Sequence, residues 1–116
     1  MAKILYTSYM ITYLKGTVID WTDKIAVLDV GGVGYEVFCG PDTLTQLRER
    51  EGVVELWTHY SVKETAHELF GFITKSELVF FKRLLDVSGI GPRSALSILA
   101  VAPPDILMSA IAEGDT

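Results

Sequence analysis

The residues best placed to do chemistry form the stretch Leu84-Leu85-Asp86-Val87-Ser88-Gly89-Ile90-Gly91-Pro92-Arg93-Ser94-Ala95-Leu96-Ser97-Ile98-Leu99. Apolar helical segments flank Gly89-Ile90-Gly91, and Pro92 opens the second of them. Glycines permit a tight reversal, and a proline suits the first position of a helix. Such a turn aims several backbone N–H groups at one point. Oriented amides at a helix N-terminus make an anion site, and a phosphate is its natural guest. The expected donors are the N–H groups of Gly89, Gly91, Arg93 and Ser94, with Ile90 anchoring the turn in the core and Arg93 adding a charge-assisted contact. Pro92 has no N–H, so it shapes the helix start without binding. The same residues also fit a plain helix–turn–helix corner closed by a glycine cap.

Charge favours the first reading locally and opposes it globally. The chain of 116 residues has a formal net charge of −5, whereas general nucleic-acid binders are basic. Residues 1–74 carry six basic and ten acidic side chains, a balance of −4. Residues 75–93 carry Lys75, Lys82, Arg83 and Arg93 against Glu77 and Asp86, a balance of +2. Residues 94–116 hold three acids and no base. The only net-positive block contains the turn, which supports local phosphate contact and disfavours broad electrostatic binding.

Other chemistry finds little support. His59 and His67 have no ligand-spaced partner, so no metal is expected. The acids are scattered rather than paired for two-metal nuclease work, and no Walker lysine loop is present. No catalytic residue and no cofactor is therefore assigned. Cys39 is the only cysteine, so an intrachain disulfide is excluded and a reducing cytoplasm is the expected setting. Trp21 and Trp57 suit base stacking, but core or interface packing is the simpler use for each. No apolar run approaches a bilayer's thickness, and Met1–Met10 lacks the form of a secretory signal.

The elements that must position the turn follow from patterning. Residues 10–19 and 24–30 read as strands, with Gly16 marking a bulge or the sharp coil of a small barrel. Residues 31–34 make a turn, Tyr35–Cys39 a third strand, and Pro41 begins a short helix with Leu44 and Leu47 facing inward. Val53–Val62 alternates Val54, Leu56, Tyr60 and Val62 with Glu55, His59 and Ser61; Trp57 and Thr58 break the pattern. A connection at 63–66 leads to a fifth strand, His67–Ile73. Three strands, a helix and two strands is the order of a five-stranded OB-type barrel. Thr74-Lys75-Ser76-Glu77 is a capping box. The helix it starts carries Leu78, Phe81, Leu84 and Leu85 on one side and is expected to end at Gly89. Ala95, Leu96 and Leu99 supply the buried stripe of the next helix, and Asp105–Glu113 reads as a third.

Several motifs occur in order: Gly31-Gly32-Val33-Gly34-Tyr35-Glu36-Val37, Thr58-His59, Val62-Lys63-Glu64, Leu69-Phe70-Gly71-Phe72 and Val87–Leu96. In order and spacing, from Met10 onward, they resemble the RuvA family of bacterial Holliday-junction-binding proteins. The resemblance implies a mainly β plus α chain: an OB-fold barrel over 10–73 and a helix-hairpin-helix region over 74–116, preceded by an extension at 1–9. It implies a non-catalytic scaffold for four-way junction DNA in recombination and repair, assembled as a homotetramer or octamer. It also implies work beside the RuvB motor, reached through a carboxy-terminal domain, and beside the RuvC resolvase, with no membrane involved. Phosphate contacts would fall on Gly89, Ile90, Gly91, Arg93 and Ser94.

Three departures qualify that resemblance. The family's acidic pin near the crossover carries two adjacent acids, whereas here Glu64 matches the first and Thr65 replaces the second. The family's second hairpin, its linker and its motor-binding domain lie beyond Thr116, so a truncated form with weakened junction binding is expected. Residues 1–9 precede the family's usual start. Two other readings stay open on the residues alone: a structure-selective nuclease fragment using the same turn, and a protein-interaction barrel whose turn is purely structural.

Overall fold

Apolar side chains alternate along five short segments, and the segments close on one another to bury them. The computed structural model describes residues 10–101; the extension at 1–9 and the third helix expected at Asp105–Glu113 lie outside the described residues. Strands β1 (Tyr13–Trp21), β2 (Ile25–Val30), β3 (Val33–Cys39), β4 (Val53–Val62) and β5 (His67–Phe72) form a closed barrel in the order β1-β2-β3-β5-β4. The β3–β5 pairing is parallel and the others are antiparallel. Helix α1 (Pro41–Glu49) connects β3 to β4, and helices α2 (Lys75–Leu85) and α3 (Pro92–Val101) follow the barrel. This is the OB-type barrel with an appended helical region that the element order implies.

Closure depends on β1. Tyr13–Thr17 pairs with β4, while Thr17–Trp21 pairs with β2, so one strand serves both edges. Of the two readings of Gly16, the bulge falls instead between Val18 and Asp20, where the register with β2 shifts, while the sharp coil fits its place beside Thr17, where β1 passes from β4 to β2. Gly16 also serves a close approach: a Cβ there would lie 2.2 Å from the carbonyl oxygen of Asp29.

Two cores result. Leu14, Ala26, Leu28, Val37, Val54 and Leu56 fill the barrel, and Leu44 and Leu47 of α1 close one end, as their spacing predicts. Thr58 points into this core and is fully buried, but its hydroxyl donates to the Ile11 carbonyl at 2.8 Å. The apparent break in the β4 pattern is thus a satisfied buried polar group. The second core lies outside the barrel, where Phe70 and Phe72 meet Leu78, Phe81 and Leu84 of α2 and Ala95 of α3. Helix α2 covers the face of β4 expected to be polar. His59 and Ser61 are consequently buried, and only Glu55 of the three stays exposed.

The capping box forms as read. The Glu77 N–H donates to Thr74 Oγ1 at 3.2 Å, and the Thr74 N–H donates to Glu77 Oε1 at 3.1 Å. At its other end α2 stops at Leu85, four residues before Gly89. The N–H of Asp86 folds back to Arg83 and that of Val87 to Leu84, tightening the last turn and ending the helix early.

Candidate nucleic-acid interface

The turn between α2 and α3 is built by three backbone features. Ile90 donates its N–H to the Val87 carbonyl at 3.2 Å, closing a four-residue turn. Gly89 sits in that turn at φ 85, a conformation that disfavours any side chain. Gly91 shows no positive φ; its carbonyl accepts from the Ala95 N–H at 2.9 Å and so starts α3. No heavy atom lies within 4 Å of where a Cβ would stand on Gly89 or Gly91, leaving the backbone open on its outer side.

The residues expected as donors all lie in this turn and the first turn of α3. Arg93 and Ser94 occupy the first turn of α3, where helix geometry provides no carbonyl one turn back for their N–H groups. Gly89, Gly91, Arg93 and Ser94 are all exposed. The Ile90 N–H is spent inside the turn, while its side chain packs against the second core and anchors the loop. Ile90 is therefore a structural member of the group rather than a donor.

Arg93 is already engaged. Its Nη2 lies 2.7 Å from Glu68 Oε2, and its guanidinium sits over the Phe38 ring, 4.5 Å from the centroid. Glu68 is on β5 and Phe38 on β3, so the side chain reaches from the first turn of α3 to the barrel wall. Sequence reasoning missed Glu68, which stands 25 positions from Arg93 and shares no local pattern with it. A second cation of the positive block, Lys75, lies 5.6 Å from the Trp57 ring, which also packs on Tyr13. Trp57 thus packs at the barrel–helix seam. Trp21 remains half exposed beneath Arg48.

Glu64 lies at the tip of the β4–β5 hairpin. Lys63 and Ala66 exchange hydrogen bonds of 2.8 and 3.3 Å, leaving Glu64 and Thr65 as an exposed two-residue tip. One step below, Tyr60 Oη and His67 Nδ1 meet at 2.6 Å and tie the two strands. The same hairpin therefore carries Glu64 at its tip and Glu68 against the α3 turn.

Two titratable groups of the barrel strands, Cys39 and His59, are buried. Burial pushes the Cys39 thiol up to about 12, so at neutral pH it is an unreactive packing group. No group of three or more His, Cys, Asp or Glu placed to hold a metal ion occurs among the described residues. His59 packs edge-on against Phe81, and burial, aided by the charge of Lys82, lowers its pKa to about 4. The unfolded chain takes up this proton near its ordinary 6.5, whereas the folded protein resists it down to about 4. Stability should thus fall as pH drops through that window and level off below it, by about 2–3 kcal/mol from this group. Urea titrations at neutral pH and near pH 4.5 check this: His59→Leu should flatten the difference, and an unchanged difference would contradict it.

Comparison with known proteins places this chain among relatives. A family model described as the RuvA N terminal domain matches residues 10–71. The chain is 44% identical over 106 residues to a protein of Halalkalibacterium halodurans named Holliday junction branch migration complex subunit RuvA, covering 91% of this chain and 52% of that one. Proteins of the same name from a Marinomonas species and a Thermoanaerobacter species are 42% and 41% identical over 106 residues, covering 91% of this chain and 53% and 57% of theirs. The chain spans about half the length of the curated relatives it matches.

Proposed function

Because the chain belongs to the RuvA family, whose N-terminal domain it carries over residues 10–71, we propose that it binds four-way DNA junctions as a non-catalytic scaffold. The observation that carries this reading is the α2–α3 turn, where Gly89 at φ 85 and the start of α3 expose a set of backbone N–H groups beside a cation. Phosphate oxygens of the DNA backbone accept from Gly89, Gly91, Arg93 and Ser94, contacts that position DNA without reading its sequence. Ile90 holds the turn on the second core.

Assembly supplies what one turn lacks. In a homotetramer four turns engage four DNA arms, and linking weak sites raises their combined affinity without any new contact. Glu64 at the hairpin tip acts as the acidic pin and repels phosphates near the crossover, more weakly than a pair of acids because Thr65 is neutral. Branch migration itself is driven by the RuvB motor, engaged through a carboxy-terminal domain, with RuvC acting on the same junctions. The protein does its work in the cytoplasm, and no helix among the described residues is long and apolar enough to cross a membrane.

The test is a band-shift comparison of a four-way junction with a linear duplex of equal length. Junction binding should be the tighter, and equal affinity would remove the proposed specificity. Gly89→Val forces a β-branched side chain into a positive-φ turn, at a local cost of about 1–3 kcal/mol. Junction affinity should then fall about tenfold or more while far-UV circular dichroism stays native. Unchanged affinity in the folded variant would make the turn purely structural.

A further inference from the structure

The Arg93–Glu68 pair is odd for a phosphate site, since it neutralises the cation nearest the exposed N–H groups. Glu68 is 15% exposed and Arg93 63%, so the carboxylate is the more buried partner and lies at the barrel wall. It faces outward on β5, on the face that carries Phe70, beside Phe38 of β3. The guanidinium is restrained twice, by a charge-assisted bond at 2.7 Å and by stacking over Phe38. A phosphate arriving at the turn meets an ion pair instead of a free positive charge.

We infer that Glu68 is a positioning residue that holds Arg93 on the barrel and so restrains the turn's attraction for DNA phosphate. The inference rests on the phosphate-binding reading of the turn. With Arg93 held, binding draws mainly on the backbone N–H groups, whose geometry discriminates, and little on a mobile charge, which does not. The pairing also reduces the +2 balance of the 75–93 block, since one of its four cations is neutralised by an acid from outside it. The placement of Glu68 on the hairpin that carries Glu64 makes one barrel element act on DNA in two repulsive ways, directly at the tip and indirectly through Arg93.

A double-mutant cycle in the full chain tests this, with duplex and junction DNA titrated by fluorescence anisotropy over a range of salt concentrations. Glu68→Gln keeps the shape and removes the charge; it should tighten binding about three- to tenfold. The dependence of log affinity on log salt should steepen by about one for each turn engaged, because a freed arginine releases one more counterion. Arg93→Gln alone should change affinity by less than about threefold, and the double variant should lose the gain. Glu68→Ala, which leaves the guanidinium no acceptor at all, should give the same gain, including where the glutamine amide still holds Arg93 and masks it. A gain that persists in the double variant would mean that Glu68 repels DNA directly and not through Arg93, and it overturns the role given to Arg93. Weaker binding with Glu68→Gln would instead make the pair a brace that binding requires, which also overturns it. If every variant, Gly89→Val included, binds as the parent does, the phosphate-binding reading fails and this inference falls with it.

Discussion

Phe81→Ala should cost the protein roughly 3–5 kcal/mol, the range for truncating a fully buried phenylalanine. The ring is fully buried and sits 4.9 Å from Phe72, 5.6 Å from Phe70 and 5.5 Å from His59, measured between centroids. It touches both β4 and β5 from α2, so its loss opens a cavity in the seam joining helices to barrel. Leu78 and Leu84 of α2 already occupy their own positions in the same core. A loss of this size is a large part of the 5–15 kcal/mol typical of a domain. Function should fail with it, since Ile90 and Ala95 fix the turn by packing on this core. Guanidinium titration followed by fluorescence gives two views: Trp57 lies at the seam near Lys75, and Trp21 lies by α1 near Arg48. A loss below about 1 kcal/mol would show that the seam is held elsewhere.

What sequence could and could not reveal divides along the range of the interactions. The capping box at Thr74 and Glu77, the proline start of α1 and the apolar stripe of α2 are local patterns, and each is found where its spacing puts it. The exposed residues proposed as phosphate donors, Gly89, Gly91, Arg93 and Ser94, are local too, because a turn and the helix it opens are contiguous in the chain. The partner of Arg93 is not, and no periodicity connects Glu68 to a residue on another element. The burial of His59 and Ser61 escaped for the same reason: alternation marks two faces of β4 but does not say that a later helix covers the second. The early end of α2 is subtler. Gly89 does take the left-handed conformation, yet the backbone folds back at Asp86 and Val87 first, so the glycine shapes the loop and not the helix cap.

Gly16→Val tests the remaining long-range feature, closure of the barrel by β1, and should destabilise by at least about 3 kcal/mol. The obstacle is backbone: a Cβ would stand 2.2 Å from the Asp29 oxygen and 3.0 Å from its carbonyl carbon. Relief requires β1 and β2 to separate where Thr17 pairs with both Asp29 and Val53, the point at which the strand passes from one neighbour to the other. Gly71 supplies the contrast. A Cβ there would lie 2.6 Å from Val37 Cγ1 and 3.2 Å from Leu56 Cδ1, both side-chain atoms that can shift. Gly71→Ala should therefore cost less, about 1–3 kcal/mol, although it sits deeper in the core. If urea midpoints rank the two variants the other way, crowding inside the barrel outweighs closure. A barrel opened at β1 also exposes unpaired strand edges, so Gly16→Val should lose soluble protein on mild heating well before Gly71→Ala does. Its DNA affinity should fail only as the folded fraction falls, because Gly16 packs against β2 and not against α2 or α3. Closure and the proposed phosphate binding are separable in this way: one is set by a backbone approach within the sheet, the other would be set by a turn anchored on the second core.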